Sequence, residues 1–173
     1  MAANDALLES TPYMNIQTNQ NYFTVSGPHF GTSSMCTPIL RSLPEWFGIE
    51  ESILQYSSGI EHLPTFLAKT SENIIGFLSI KQHNPYSVEI LVMGVHPEVQ
   101  RHGIGRALLN ATQEWLRQQG VEYLQVKTLG PTNDDPNYAK TRDFYEAVGF
   151  RPLEELQQIW DEHNPCLILV KRL

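Results

Sequence analysis

The stretch VHPEVQRHGIGRALL, from Val95 to Leu109, places Gly103 and Gly105 between a β-branched apolar run and a helical pattern. Where a strand passes into a helix through Gly-x-Gly, backbone N–H groups at the helix start carry no side chain over them. They also lie beside the positive end of the helix dipole. The stretch therefore predicts an anion-binding loop between a strand and a helix.

Two common phosphate loops do not fit this stretch. A dinucleotide-binding fingerprint requires a third glycine where this chain has Leu108, and no clear first strand of a Rossmann unit precedes the loop. A nucleotide P-loop requires Gly-Lys-Ser or Gly-Lys-Thr, whereas Gly105 is followed by Arg106 and Ala107. If this loop binds a phosphate group, the ligand is therefore expected to be neither a dinucleotide in a Rossmann unit nor a nucleotide in a P-loop.

The pattern around the loop predicts a mixed sheet with helices on both of its faces. Apolar and alternating runs predict strands over 65–69, 74–82, 88–95, 121–129 and 164–173. After the loop, a helix carries an apolar stripe and ends at Gly120, and a further helix is expected over 138–148. Two short helices precede the sheet, one with Thr37 as N-cap and Pro38 at its first position, the other over 49–60. We predict an α/β (α+β) fold with a mixed, mostly antiparallel central sheet.

Composition divides the chain in two and narrows the classes of partner. Residues 1–35 are rich in Asn, Gln, Ser and Thr, and form a predicted polar extension, partly disordered or adding one strand through 21–25. Residues 36–173 form the predicted main domain.

A net charge of -7, from 12 Lys and Arg against 19 Asp and Glu, argues against nucleic acid and anionic lipid as partners.

Targeting and metal signals are missing from the sequence. The start, MAANDALLES, has neither the positive segment nor the apolar segment of a secretory signal, and no apolar stretch approaches the length of a membrane span. Cys36 and Cys166 lie far apart without a C-x-x-C motif or a neighbouring His. We therefore expect a cytoplasmic protein without a metal site or a membrane partner.

Two motifs in the chain resemble those of the GCN5-related N-acetyltransferases, the GNAT family. Gln100, Gly103 and Gly105 match the family's motif A, Q/R-x-x-G-x-G/A. About 40 residues on, TRDFYEAVGFRPLEE resembles motif B, typically A-R-x-F-Y-E-K-x-G-F. The chain departs from the family at Thr141, where Ala is usual, and at Tyr138, near a position where many members have an Asn that contacts the cofactor. The resemblance implies a GNAT-like sheet over roughly the last three-fifths of the chain.

The resemblance also implies acetyl-CoA as co-substrate and assigns residues to it. In the family the motif A backbone holds the pyrophosphate, and a splayed strand, here near Met93 to Val95, holds the thioester carbonyl through its N–H groups. Gly94 would permit a bulge there. The implied cofactor-binding residues are Met93, Val95, Gln100, Arg101, His102, Gly103, Ile104, Gly105 and Arg106.

Acyl transfer to an amine requires a proton acceptor and a proton donor. Glu89 lies in the predicted strand 88–95, on the side of Leu91 and Met93, where desolvation would favour a base; its spacing to Gly103 also matches the catalytic glutamate of the family's histone acetyltransferases. The alternative is a solvated residue at a strand start. Tyr145 corresponds to the family tyrosine that protonates the departing thiolate, or else is a core tyrosine.

Two histidines and five aromatic residues are further candidates for the site, and each also has an ordinary structural explanation. For His96 and His102, surface or phosphate-adjacent roles are favoured over catalysis. Five aromatic residues either line a pocket for the acceptor or belong to the hydrophobic core. These aromatic residues are Trp46, Phe47, Tyr56, Tyr86 and Trp160.

The leading hypothesis is an acetyl-CoA-dependent N-acetyltransferase in which a primary amine attacks the thioester directly in a ternary complex. The alternatives are a non-catalytic acyl-CoA-binding module and an acetyltransferase of protein or peptide amines instead of small molecules. The family often dimerises through its last strands, so a homodimer is one expectation.

Overall fold

The computed structural model describes residues 14–18, 21–161 and 163–173, with side chains from Phe23 onward. The strands are β1 (Met14–Thr18), β2 (Asn21–His29), β3 (Thr65–Lys69), β4 (Ile74–Asn84), β5 (Ser87–Val95), β6 (Tyr123–Leu129), β7 (Arg151–Asp161) and β8 (Asn164–Arg172). The helices are α1 (Ser33–Arg41), α2 (Glu50–His62), α3 (Ile104–Gln118) and α4 (Pro136–Ala147), with a short 3₁₀ turn at Pro97–Val99.

The strands form one sheet in the order β1-β2-β3-β4-β5-β6-β8-β7. Neighbouring strands are antiparallel except β5 and β6, which run parallel. The pairing of β5 with β6 ends at Ile90 and Val126, although β5 continues to Val95 and β6 to Leu129. The two strands therefore part in the middle of the sheet, and this divergence positions the site.

Helices cover both faces of the sheet. On one face α1 and α2 bury an apolar cluster that includes Ile39, Ile60 and Phe77. On the other face α3 contributes its apolar stripe to a larger cluster with Leu108 at its centre, and α4 adds Tyr145 to the same cluster. Burial of these apolar faces is the main stabilising contribution in such an arrangement. The predicted fold class is confirmed.

Two strands were missing from the sequence prediction. β7 is exposed along almost its whole length, so its residues lack the apolar alternation that marks a half-buried strand. β1 pairs with β2 inside the predicted extension, and β2 buries Phe23 and Val25 in the core beside β3. The sheet thus reaches into segment 1–35, of which residues 1–13 and 19–20 lie outside the described residues.

The predicted start of α1 was wrong by five residues. The helix begins at Ser33 after Gly31, which turns the chain with a φ of 67°. Thr37 lies inside it, because its Oγ1 donates a hydrogen bond of 2.7 Å to the carbonyl of Ser33, and Pro38 follows within the helix. The Thr-Pro pair is typical of a helix start but is not confined to one. Within the described residues, no helix is both long and apolar enough to cross a membrane.

Candidate functional site

A cleft of about 880 Å³ opens where β5 and β6 part. The β5 residues from Ile90 to Val95 form one wall, and the β6 residues from Val126 to Thr128 form the other. The loop after β5 and the first turn of α3 close one end. Residues of the α1–α2 loop, α2, α4 and β7 surround the rest.

The loop between β5 and α3 presents free backbone N–H groups, as the sequence predicts. The Gln100 N–H donates to the carbonyl of Pro97, and the first bond of the helix runs from the Ala107 N–H to the carbonyl of Gly103. Within the described residues, the six N–H groups from Arg101 to Arg106 have no hydrogen-bond partner. This is a cradle for an anion at a helix N-terminus.

Backbone conformation and one side chain hold this loop in place. Arg101 and Gly103 adopt the left-handed region, with φ values of 64° and 83°. Arg101 is the one non-glycine residue with positive φ among those described, and strain of this kind is stored where the surroundings enforce it. The Gln100 Nε2 group donates 3.1 Å to the carbonyl of Val95, so its side chain braces the loop against the end of β5.

The cleft is positively charged although the chain is acidic. Its charged lining residues are Arg101, Arg106, Lys127, Lys140 and Asp143, which are four cations against one carboxylate, whereas the chain carries -7. A concentration of one sign in a concave site attracts ligands of the other sign. The lining therefore favours an anionic ligand.

A bulge in β5 changes the position predicted for Glu89. Ser79 pairs with Val92 and the next residue, Ile80, pairs with Ile90, so Leu91 is an extra residue. Ile90 packs in the cluster under α3, whereas Val92 packs in the cluster under α1 and α2. The alternation of side chains between the two faces of the sheet thus shifts by one residue at Leu91. Glu89 lies on the face of α1 and α2, opposite Met93, so the predicted common side was wrong for Met93. Leu91 does share the face of Glu89, because its side chain reaches Gly59 of α2.

Glu89 is buried and paired, and it does not line the cleft. It is 6% exposed, and its Oε2 atom accepts bonds from Lys127 Nζ at 2.7 Å and from His83 Nε2 at 2.6 Å. A buried carboxylate needs such partners. Lys127 does line the cleft, so it lies between Glu89 and the opening. On the same face, burial, and secondarily the charge of Glu89, raises the pKa of Tyr56.

Tyr145 lines the cleft from α4, on the opposite face from Glu89. Its ring packs edge-on against Phe144 and Phe150, with centroids 5.3 Å away in both cases. Burial raises the pKa of Tyr145 well above its usual value. The phenol therefore stays protonated at neutral pH and is able to donate a hydrogen bond or a proton into the cleft.

Aromatic side chains form the wall away from the glycine loop. Four of the five predicted aromatic residues line the cleft, namely Trp46, Phe47, Tyr56 and Trp160, whereas Tyr86 lies in a turn and is 59% exposed. Tyr138 joins them from α4, and its hydroxyl donates to the carbonyl of Trp46 at 3.4 Å. The Trp46 Nε1 group donates 3.0 Å to Thr141 Oγ1, which gives a structural reason for the departure from Ala.

Most of the predicted site residues come together in this one cleft. Those that line it are Tyr145, Met93, Val95, Gln100, Arg101, Gly103, Ile104, Gly105 and Arg106, whereas Glu89, His102 and His96 do not. The sequence analysis missed Lys127, Thr128 and Lys140. Helical spacing was a signal for Lys140, since it lies four residues before Phe144 on α4. In the described ranges no group of three His, Cys, Asp or Glu side chains is arranged to hold a metal ion.

Two curated proteins with similar sequences are acetyltransferases. The mycothiol acetyltransferase of Beutenbergia cavernae is 37% identical over 65 residues, which are 38% of this chain and 20% of that protein. The N-alpha-acetyltransferase RimI of Mycobacterium tuberculosis is 32% identical over 87 residues, 49% of each chain. This chain thus spans between a fifth and about half the length of these curated relatives.

The fold and the domain match point to one family. A GNAT family acetyltransferase from Elizabethkingia anophelis, solved with acetyl-CoA bound, superposes with a TM-score of 0.67 at 20% identity. The match covers 87% of this chain and 98% of that one, and shows a shared fold. The family model of the acetyltransferase (GNAT) domain matches residues 61–152, more than half of the chain. The chain therefore belongs to the GNAT family of acetyltransferases.

Proposed function

We propose that this protein transfers an acetyl group from acetyl-CoA to a primary amine while both are bound in the cleft between β5 and β6. The observation that carries the proposal is the divergence of these strands after Ile90 and Val126. It opens a passage from the free N–H groups of the loop to the aromatic wall, so a donor and an acceptor molecule have separate ends of one cleft.

The loop end of the cleft suits the pyrophosphate of acetyl-CoA. The N–H groups from Arg101 to Arg106 would hold its oxygens, and the Arg101, Arg106 and Lys140 side chains add positive charge. N–H groups near Met93 to Val95, beyond the end of the β5–β6 pairing, would polarise the thioester carbonyl. Acetyl-CoA bound to the Elizabethkingia relative supports this choice of co-substrate.

Proton transfer would use the two faces of the sheet. The amine nitrogen attacks the thioester carbon, the C–N bond forms and the C–S bond breaks. We assign the proton donor to Tyr145, whose hydroxyl would protonate the departing thiolate and regain a proton from solvent. An acceptor that arrives as an ammonium ion loses one proton before the attack and a second one after the C–N bond has formed. We assign the first proton to Glu89, through a water, because Lys127 lies between this carboxylate and the cleft, and the second proton to solvent.

The acceptor belongs at the aromatic wall. An amine arrives as an ammonium ion, which the faces of Trp and Tyr rings attract. The names of the relatives point to two kinds of acceptor, since one is a mycothiol acetyltransferase and the other an N-alpha-acetyltransferase. Both small amines and peptide amines are therefore tested as acceptors. The cytoplasmic location and the homodimer remain predictions.

A thiol-release assay with acetyl-CoA tests the proposal. The panel contains polyamines, amino sugars, amino acids and short peptides, and calorimetric titration of acetyl-CoA is run beside it. We expect binding of acetyl-CoA and thiol release with one class of amine. Binding without release by any amine would favour the non-catalytic acyl-CoA-binding module. If acetyl-CoA does not bind, the assignment of the glycine loop is wrong.

The variant Glu89→Gln tests whether Glu89 acts as the base of the reaction or only as a partner in a structural ion pair. As a base, Glu89 serves an amine that arrives protonated, so the variant should lose about 10²-fold or more in kcat/KM near neutral pH. The deficit should shrink as the pH approaches the pKa of the amine, where the substrate arrives as the free base. Lys127→Met is the matched control, since it breaks the same ion pair and keeps the carboxylate. A deficit that is equal at all pH values would contradict the base role.

A further inference from the structure

Lys127 lines the cleft from β6 and has hydrogen-bond donors that the protein does not use. An ammonium group has three N–H donors. Lys127 Nζ donates to Glu89 Oε2 at 2.7 Å, and within the described residues no other group accepts a hydrogen bond from it. Its side chain is 25% exposed and lines the cleft, so the remaining donors are accessible to a bound ligand.

The strand pairing places Lys127 on the side of the cleft that carries the aromatic wall. Gln125 pairs with Glu89, so the alternation of β6 puts Lys127 on the face of α1 and α2. The aromatic side chains of the α1–α2 loop and of α2 pack against the apolar cluster of the same face. Ile104 of the glycine loop and Tyr145 belong to the opposite face. Lys127 therefore faces the acceptor, not the phosphates of acetyl-CoA.

The aromatic wall has no carboxylate for an acceptor with several positive charges. Asp143 is the one acidic residue among the described residues that line the cleft. It lies two residues after Thr141 on α4, so it is on a different side of that helix from the hydroxyl that contacts Trp46. Glu89 does not line the cleft and is already paired with Lys127. A polyamine or an amino sugar would place its extra cations beside Lys127 without an acidic partner.

An acceptor with an acid group beside its amine suits this wall. Charge-assisted hydrogen bonds to a carboxylate are among the strongest that a lysine makes. The wall also has apolar surface left to bury, since Trp160 is 45% exposed. An α-amino acid with a large apolar side chain carries an amine, a carboxylate and an apolar group on one carbon atom. It therefore offers a partner to each feature of the wall.

We propose that the acceptor is a free α-amino acid with a large apolar side chain, whose carboxylate binds Lys127 Nζ and whose side chain packs on the aromatic wall. This inference rests on the proposed function and names its acceptor class. Lys127 would then lie between two carboxylates, that of Glu89 and that of the acceptor. A peptide N-terminus has an amide in place of this carboxylate, and a simple amine has neither group, so both should be poorer acceptors.

Matched acceptors test the inference in the wild-type protein. Free phenylalanine, tryptophan and leucine are each compared with their amides and with phenylethylamine, tryptamine and isopentylamine, which lack the carboxylate. The amides represent a peptide N-terminus. In the thiol-release assay at saturating acetyl-CoA, we expect kcat/KM for at least one amino acid to exceed that of its amine and its amide by about tenfold or more, the effect of one charge-assisted hydrogen bond.

Variants of Lys127 test whether this residue causes the preference. Lys127→Met should reduce the ratio of kcat/KM between the amino acid and its amine to about one. The ratio is formed within each variant, so a general loss from disturbing Glu89 cancels. Lys127→Arg keeps the cation and should keep a preference. Lys140→Met is the matched control, since it removes another cation of the cleft, on α4, and should leave the ratio unchanged.

Calorimetry gives a readout that does not depend on turnover. With CoA present, the N-acetyl derivative of the preferred amino acid should bind Lys127→Met about tenfold more weakly than the wild type. Equal affinity, a ratio unchanged in Lys127→Met, or a wild type that uses the amines or amides as well as the amino acids would each overturn the inference. If no amine of any class releases thiol, the proposed function falls and this inference with it. If only polyamines, amino sugars or peptides release thiol, this inference alone falls.

Discussion

The two glycines of the loop have different physical roles. A Cβ atom on Gly103 would meet no atom within 4 Å, so its requirement is conformational, a φ of 83° in the left-handed region. A Cβ atom on Gly105 would lie 3.4 Å from the ring of Phe144 and 3.8 Å from Met93. At Gly105 a Cβ atom would thus make ordinary van der Waals contacts with α4 and β5, whereas Gly103 turns the chain beside the open cleft.

At Gly103, alanine should weaken both stability and acetyl-CoA binding. The left-handed conformation costs an alanine about 1–2 kcal/mol, and the added methyl group lies beside the cleft. Gly120→Ala is the matched control, because Gly120 has a φ of 76° at the other end of α3 and also has no neighbour within 4 Å. Denaturant unfolding should show similar losses for both variants. Calorimetry should show weaker acetyl-CoA binding for Gly103→Ala alone, and equal affinity in both would contradict the cradle.

At Tyr145, removal of the hydroxyl should slow the chemistry without loosening the co-substrate. We expect Tyr145→Phe to lower kcat by about 10²-fold or more, the range for loss of a positioned proton donor, with nearly unchanged acetyl-CoA affinity. Tyr138→Phe is the control, since it removes another hydroxyl of the cleft wall on the same helix. Steady-state kinetics with the amine found in the thiol-release assay measures both. An undiminished kcat in Tyr145→Phe would exclude the acid role.

At the scale of elements, α4 and the α1–α2 loop are joined across the cleft by Thr141. Its Oγ1 accepts from Trp46 Nε1 at 3.0 Å and donates to the carbonyl of Asn137 at 3.1 Å. Thr141→Ala should leave the half-buried indole N–H unpaired and destabilise the protein by about 1 kcal/mol. Hydrogen exchange should quicken in residues 43–49 and 136–147, and Thr141→Ser should restore the wild-type rates. Unchanged exchange in both segments would contradict the link.

How far the elements could be predicted from sequence depended on burial. The helix α3 and the strands β3 to β6 carry apolar patterns because one or both faces are buried, and their predicted positions agree with the structure. β7 has no such pattern because it is exposed, and Trp160, which it contributes to the cleft, was proposed without a strand to hold it. The bulge at Leu91 is a property of pairing with β4, which explains why Glu89 and Met93 lie on opposite faces and not on one side as predicted.

For the whole molecule, charge is divided between the site and the rest of the surface. Four cations and one carboxylate line the cleft of a chain whose net charge is -7, so the remaining residues carry a larger excess of acid. The overall balance therefore gives no sign of the anionic ligand that the cleft favours. Composition argues against a general affinity for polyanions, but a local site of this kind becomes visible only when the fold assembles its residues.

The buried thiol of Cys36 predicts that the whole molecule becomes less stable to unfolding at alkaline pH. Cys36 lies on the buried side of α1, and burial raises its pKa to about 11, while a hydrogen bond to Thr32 partly opposes the rise. An unfolded thiol ionises near about 8.5. Between these values the unfolded state loses a proton that the folded state keeps, so the free energy of unfolding must fall as the pH rises.

Cys36→Ala removes this titration from both states, and the comparison isolates it because other groups titrate alike in the two proteins. The variant loses a constant amount of stability through the lost side chain. The wild type should lose about 2 kcal/mol more than the variant between about pH 8 and about pH 10.5. Urea unfolding with reductant at both pH values measures this difference. If the gap between the two proteins is the same at both, the folded thiol ionises as readily as the unfolded one, and α1 does not seal Cys36 from water.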